Sequence, residues 1–397
     1  MAPHLRELPA DDALVLGAGK AAASMAMAFN EQAQAALRGL VVTRYGHGLR
    51  EGESAGEIEV VEAGHPLPDE AGVEAGRRML ELARSVRSDE TLWFLASGGG
   101  SALCVAPLAG VSLEQKRSAT DFLMRSGADI REINTVRRHL SAIKGGRLAQ
   151  VAHPARVVTL AISDVPDDNL CDIASGPTVP DPTTQREAVE VLERYGYPSL
   201  DELLGVLSDP VNESPKPGDA GFSQDIAKIV ASSKTAMDAA ETFLTEQGYE
   251  VQRLGDNLAA DARELGREHA LLAKNFITSG SKVALLSGGE TTVVVRHSGG
   301  RGGRNLEYLA SLALELEGQD GVFAIAADTD GIDGSSDAAG AFIDPDLPDL
   351  AKAAGVDLQS CLEQNDTHSF FKACDLLVKT GPTRTNVNDF RLVVINT

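Results

Sequence analysis

Four short apolar runs set the rhythm of the first half of the chain: ALVLG at 13–17, GLVVT at 39–43, LWFLA at 92–96 and VVTLAI at 157–162. Each is too short for a helix and rich in branched or aromatic residues, so each predicts a strand. Between them lie amphipathic stretches such as AGVEAGRRMLELARSV, 71–86, whose apolar positions recur at helical spacing. This alternation predicts a parallel sheet with helices on both faces, where ligands collect at the carboxyl ends of strands. Apolar periodicity stops in SDPVNESPKPGDAGFSQD, 208–225, where Pro, Gly, Ser and Asp crowd together. That break divides the chain into a first domain, 1–222, and a second, 223–397. The second is expected to hold helical stretches at 223–246 and 256–276 and strands at 282–288, 291–296 and 322–327, giving a smaller α/β domain with its core at about 282–395.

Composition adds limits. At 397 residues the chain exceeds one ordinary core, in agreement with two domains. Hydrophobic residues make up 43% of it, yet no uninterrupted apolar run approaches the ~20 residues that span a bilayer, so no membrane helix is expected. MAPHLRELPADDALVLG, at the N-terminus, has neither a basic region nor an apolar run ending in a small-residue cleavage site, which predicts a cytoplasmic protein. Cys104, Cys171, Cys361 and Cys374 are too scattered for a CxxC metal site or a disulfide framework and read as buried free thiols. A formal net charge of −22 repels nucleic acid and anionic lipid. An anionic ligand must therefore be captured by a local cationic pocket, which gives weight to every glycine-flanked Lys or Arg. The oligomeric state is left open.

Residues 17–22, GAGKAA, formally satisfy the dinucleotide pattern G-x-G-x-x-A between a strand and a helix, the mark of a Rossmann-like turn. A NAD site also wants an acidic residue after the second strand, and Thr43, Arg44 and Tyr45 stand there instead, which disfavours NAD and leaves only NADP, which could use Arg44. A triphosphate P-loop fails as well, because Ala21 follows Lys20 where a hydroxyl is needed. What remains is an ammonium group beside a helix N-terminus, a site for phosphate or carboxylate. Ser97, Gly98, Gly99, Gly100 and Ser101 form a second glycine-rich strand end, either a flexible turn or a set of backbone amides able to close on phosphate oxygens. Within 133–149, Arg137, Arg138, Lys144 and Arg147 are presented by a helix expected to end in Gly145-Gly146, as a solvated face or an anion site. Asp164 follows a strand, where a carboxylate can accept a hydroxyl proton or hold Mg²⁺; Asp167, Asp168 and Asp172 read as turn caps.

In the second half Glu290 sits at a glycine turn, and Arg301 and Arg304 alternate with glycine pairs before a helix, suited to clamping carboxylate or phosphate. Asp328, Asp330 and Asp333 follow a strand in AIAADTDGIDGSSDAAGAF, without calcium-loop spacing, and one or two of them, Asp328 and Asp330 first, are expected to hold Mg²⁺ through water. Lys379, Thr383, Arg384, Thr385 and Asn386 gather oxyanion donors in one loop.

In their order along the chain, GAGKAA, SGGGSAL, NTVRRHLSAIKGGRLA, SDVPDDNLCDIASGPTVPDPTT, LLSGGETTV, GGRGGRNLE, DTDGIDGSSDAAGA and KTGPTRTNVNDFRL closely resemble the glycerate 2-kinases with a C-terminal MOFRL domain. The resemblance implies ATP-dependent phosphorylation of D-glycerate to 2-phosphoglycerate with Mg²⁺, in a cleft between the two domains. It carries a catalytic lysine onto Lys20 and an active-site arginine onto Arg304. Lys20 would neutralise the transferring phosphoryl group, the Ser97–Ser101 loop would meet an anionic group, Asp164 would accept the C2 hydroxyl proton, and Asp328 or Asp330 would bind Mg²⁺. Arg137, Glu290, Arg301, Thr383, Arg384 and Asn386 complete the expected binding set. The alternative is an NAD(P)H-dependent hydroxypyruvate reductase, a name often given to such relatives. A non-catalytic sensor of glycerate or nucleotide is a third reading.

Overall fold

The computed structural model describes residues 13–33, 36–277 and 282–396. Residues 1–12, part of the stretch read above for a leader, lie outside these. The chain divides into two compact units, Met1–Val230 and Ala231–Thr397. Among the described residues no helix is long and apolar enough to cross a membrane.

The first unit is an α/β fold on a six-stranded sheet: β1 (Ala13–Ala18), β2 (Leu37–Arg44), β3 (Ile58–Ala63), β4 (Thr91–Ala96), β5 (Arg156–Ile162) and β6 (Ile226–Ala231), in the order β3-β2-β1-β4-β5-β6. β1 pairs in parallel with β2 and β4, β2 with β3, and β4 with β5. The strands read from uninterrupted apolar runs are the inner ones, buried on both faces. Among its helices are α1 (Ala22–Gln32), α2 (Glu70–Arg84), α3 (Gly100–Leu103), α4 (Leu113–Arg125), α5 (Ile130–His139), α6 (Arg147–Ala152), α7 (Gln185–Tyr195) and α8 (Leu200–Leu207). In α2 Asp69 caps the first turn by accepting from the Gly72 N–H, and Ala75, Gly76, Met79, Leu80 and Ala83 form the buried face. A Cβ on Gly76 would lie 2.3 Å from the Val105 carbonyl oxygen, so this helix packs directly on backbone.

The second unit carries a mixed sheet: β7 (Glu250–Leu258), β8 (Lys282–Gly289), β9 (Val322–Asp328), β10 (Gly340–Ile343), β11 (Leu377–Val378) and β12 (Asp389–Asn396), ordered β11-β10-β9-β12-β8-β7. Only the β7–β8 pairing is parallel among the described pairs of this sheet. Its helices include α9 (Ser233–Glu246), α10 (Ala262–Ile277), α11 (Arg304–Leu316), α12 (Leu347–Ala354), α13 (Leu358–Glu363) and α14 (Thr367–Ala373). Leu306, Leu309 and Leu312 of α11 pack with Leu285, Val393 and Phe371 in one core.

Four local expectations change. The stretch 223–246 is strand β6 followed by α9, and the start of 256–276 belongs to strand β7. The helix expected to run to Gly145-Gly146 ends earlier, at His139; the two glycines take left-handed φ values of 60° and 81° and lead instead into a separate helix, α6. TTVVVR is not a strand: Thr292 makes a single bridge to Asp261, while Val294 and Val295 stay exposed. The place beside β8 goes to β12, an element the apolar pattern did not single out.

Candidate functional site

The strand order reverses between β1 and β4, and in open α/β sheets ligands bind at the carboxyl ends of strands at such a point. Ala18, Ala96 and Ala161 lie in register across β1, β4 and β5. Lys20, Ser97 and Asp164 follow them by two, one and three residues, so the sheet delivers all three to one edge. The Lys20 N–H donates to the Gly98 carbonyl at 2.8 Å, and the Ser97 hydroxyl oxygen accepts from the Ala21 N–H at 3.0 Å. Gly19, at φ 136°, lies so close that a Cβ there would sit 2.1 Å from the Ser97 hydroxyl oxygen. The lysine turn and the glycine loop therefore form one block. α1 starts directly behind it, without a side-chain cap or an acidic residue in its first turn, which leaves the positive end of its dipole to whatever anion approaches.

Gly99 shows what flanks this block: a Cβ there would lie 3.0 Å from the His65 ring and 3.5 Å from the Lys20 stem. His65 was missed from sequence, where nothing separates it from a turn residue before proline. Ser101 is joined to Ser175 by a 2.7 Å hydroxyl pair, and Ser175 donates to Asn134. Ala174 and Ser175 both hold positive φ, 53° and 59°. Non-glycine residues in that region cost on the order of 1–3 kcal/mol each and cluster at functional sites.

The four cations of 133–149 separate. Arg138 is held by Asp172 at 3.2 Å and Asp181 at 2.9 Å. The Lys144 ammonium, fully buried, donates to the Cys104 carbonyl at 2.9 Å and the Ala174 carbonyl at 3.4 Å, and burial pushes it down to about 8. Arg147 donates to the Arg138 and Asn212 carbonyls. These three are internal struts rather than an anion site. Arg137 remains, half-buried, 3.5 Å from Asn134 Oδ1, with burial pushing its guanidinium down to about 10.

In the second unit Arg304 opens α11, and every nitrogen of its guanidinium is engaged: Nε to Asp389 at 2.8 Å, Nη1 to Glu290 at 2.9 Å and Nη2 to Asp328 at 2.7 Å. Asp389 also accepts from Asn305 Nδ2 at 2.8 Å and from the fully buried Arg391 at 2.9 Å. Asp333 caps α11 by accepting the Asn305 and Leu306 N–H groups. Asp330 stands beside Asp328, its N–H donating to the Asp328 carboxylate. Burial first, then the Asp330 charge, push Asp328 up to about 8 against the pull of Arg304. Burial raises Asp333 to about 6. Carboxylates outnumber guanidinium groups here, so the cluster as a whole favours a cation.

Arg301 is set apart: half-exposed, its guanidinium lies 3.6 Å from Asp337, which Lys379 also holds. The 383–388 loop folds over the Asp328–Asp330 turn. Thr383 donates its N–H to the Asp330 carbonyl and its hydroxyl to the Thr329 carbonyl, and the Val387 N–H donates to Thr329 Oγ1. Arg384, at φ 60°, and Asn386 are buried within it. Asp389, Asn305 and Arg391 escaped the sequence reading; the one signal was a charged pair, Asp389 and Arg391, bracketing Phe390 at the start of an apolar run. Among the described residues no group of three or more His, Cys, Asp or Glu is arranged as a metal site. Mg²⁺ needs less, one or two carboxylates plus substrate phosphates and water, and the adjacent Asp328 and Asp330 meet that requirement. A larger cavity, about 570 Å³, lies among α11, α12 and α13 and holds none of the predicted site residues.

Comparison with known proteins adds an independent line. The DUF4147 model, a domain of unknown function, matches residues 4–207, and the MOFRL family model matches 283–389. A D-glycerate 2-kinase of Thermotoga maritima is 41% identical over 98% of this chain and 92% of its own. A protein of Agrobacterium vitis with a provisional hydroxypyruvate reductase name is 45% identical over 99% and 89%. The crystal structure of a glycerate kinase from Thermotoga maritima superposes with a TM-score of 0.87 at 40% identity, covering 100% of this chain and 93% of that one.

Proposed function

Because the chain belongs to the MOFRL glycerate kinase family, we propose that it transfers the terminal phosphoryl group of ATP to D-glycerate, giving 2-phosphoglycerate. The observation that carries this reading over a nicotinamide enzyme is the pairing of Lys20 with the Ser97–Ser101 loop at the β1–β4 edge; β2 ends in Thr43 and Arg44 without a carboxylate, which counts against NAD though not against NADP. The Thr43 hydroxyl is instead 3.4 Å from the Lys20 carbonyl, bracing the lysine turn.

Phosphoryl transfer asks for little covalent chemistry from the protein and much positioning and charge stabilisation. The Lys20 ammonium, beside the uncapped start of α1, stabilises charge on the transferring group. Asp164 accepts the proton from the C2 hydroxyl as it attacks. Arg137 and Ser101 face the substrate's carboxylate and hydroxyls. Arg304 is already saturated by carboxylates, so it holds an incoming oxyanion only by releasing Glu290, the one exposed partner of the three, 58% accessible against 6% for Asp328 and 0% for Asp389. Asp328 and Asp330 would hold Mg²⁺, which would supply positive charge against the nucleotide phosphates.

The test is an assay of ATP, Mg²⁺ and D-glycerate that follows ADP release and identifies the product by phosphorus NMR. Formation of 2-phosphoglycerate is expected. No ADP above background from folded protein would overturn the reading. The reductase alternative, which the Agrobacterium name favours, predicts oxidation of NADH or NADPH with hydroxypyruvate.

A further inference from the structure

Beside Arg304, the second unit has a cavity of about 380 Å³, lined by Thr291, Val293, Val295 and the glycines of the HSGGRGGR loop, 297–304. One wall is apolar and open: Val295 is 71% exposed and Val293 half-buried. The other wall is mainly glycine backbone, with Ser335, Glu307 and Asn365 beside it, and is made rigid from behind. A Cβ on Gly300 would lie 2.4 Å from the Gln364 carbonyl oxygen, and one on Gly302 would lie 2.5 Å from Thr367 Oγ1. Asn365 pins the loop, its oxygen accepting from the Arg296 and His297 N–H groups and its nitrogen donating to the Val294 carbonyl and Glu307. Into this hollow comes Thr291, 3% exposed, whose hydroxyl has no hydrogen-bond partner among the described residues. An unmet buried hydroxyl costs about 1–3 kcal/mol, and native structures seldom keep one without a reason.

Size, shape and charge narrow the ligand. D-glycerate, with three carbons, would leave most of such a space empty, whereas cavities of this order enclose far larger molecules. A slot between valine side chains and naked peptide planes suits a flat ring with donors and acceptors on its edge, one of which would meet Thr291. Arg304 lies at the lining, next to Asp328 and Asp330, a setting for an anionic tail that brings a divalent cation. We propose that this hollow seats the base of a nucleoside phosphate, placing the nucleotide's anchor in the second unit. The inference rests on the kinase reading given above.

Photolabelling of the full chain with 8-azido-ATP, followed by tryptic mapping, tests it directly. Label is expected within residues 283–301, removed by excess ATP and not by NADPH. Label confined to peptides carrying Lys20 or the Ser97–Ser101 loop, or to those of the 570 Å³ cavity, would overturn the proposal, as would protection by NADPH alone. Val293→Trp, which fills the slot, should weaken ADP binding by calorimetry more than about tenfold and leave D-glycerate binding within about twofold. Should that variant fail to fold by circular dichroism, Thr291→Val, which removes only the hydroxyl, should weaken ADP roughly three- to tenfold; ADP binding at the wild-type level in either folded variant counts against the site. The two readings part cleanly. Production of 2-phosphoglycerate with label elsewhere sinks the pocket alone, and label at 283–301 with no phosphorylation sinks the kinase alone.

Discussion

One guanidinium, that of Arg304, binds three carboxylates of very different exposure, and that contrast yields a quantitative prediction. Asp389 is wholly buried and is shared by Arg304, Arg391 and Asn305. Truncating it to alanine takes one of three carboxylates from Arg304 and leaves the buried Arg391 guanidinium without its carboxylate partner. Breaking a buried pair by removing one partner costs about 3–5 kcal/mol, because the remaining charge stays desolvated. At about 2–4 °C per kcal/mol for a unit of this size, the midpoint of thermal unfolding should fall by about 10 °C. Glu290 pairs with the same arginine at a nearly identical distance, 2.9 Å, but is 58% exposed; an exposed pair contributes about 1 kcal/mol or less, so Glu290→Ala should shift the midpoint by no more than about 3 °C. Circular dichroism scans of the two variants beside the wild type decide the matter. Equal losses would refute the claim that burial, rather than the ion pair itself, sets the cost.

Lys20→Ala should lower kcat on the order of a hundredfold or more while the protein unfolds at the wild-type temperature, since the lost group acts on developing charge; near-full turnover would remove its assigned role. Gly19→Ala should destabilise by about 2 kcal/mol or more, because its Cβ would collide with Ser97, and a urea midpoint within error of wild type would count against the locked turn. Glu213 is held down to about 2 despite partial burial, by Lys216 and by the N–H groups of Gln185 and Ser214. A depressed carboxylate contributes stability that is present above its unfolded value of 4.5 and is lost as pH falls through 2. Glu213→Gln should thus cost about 2 kcal/mol at pH 7, solvent screening included, with the difference from wild type shrinking between those two pH values. A gap independent of pH would contradict it.

The fold was legible where a single local rule governed. Inner strands of the first sheet are apolar throughout because both faces are covered, so β1, β4 and β5 announce themselves. β3, IEVVEA, escaped because only its two ends are fully buried. TTVVVR misled for the opposite reason: branched residues favour a strand only where a neighbour offers a ladder, and here the neighbour is β12. The first unit's site was half readable, since Lys20 and Ser97 each stand at a strand end, a position that alternation predicts. What could not be read was their mutual fit through Gly19, which depends on two turns 76 residues apart in the chain. The Arg304 cluster failed for the same reason: Asp389 lies 85 positions from its partner and looks, by itself, like any strand-leading aspartate. Lys144 and Arg147 misled because a cation that ties carbonyls together inside a protein has the same letter as one that greets a ligand.

β12 lies between β9 and β8 in the second sheet although it follows both in the chain. During synthesis the first unit can therefore complete its sheet once residue 231 has left the ribosome, while the second waits with an open seam until 396 has emerged. Asp389 and Arg391 arrive on that same final strand. A chain halted anywhere upstream of them is left with a severed sheet and an Arg304 lacking its buried anchor, so the order of translation itself withholds the finished acidic cluster until β12 has been made.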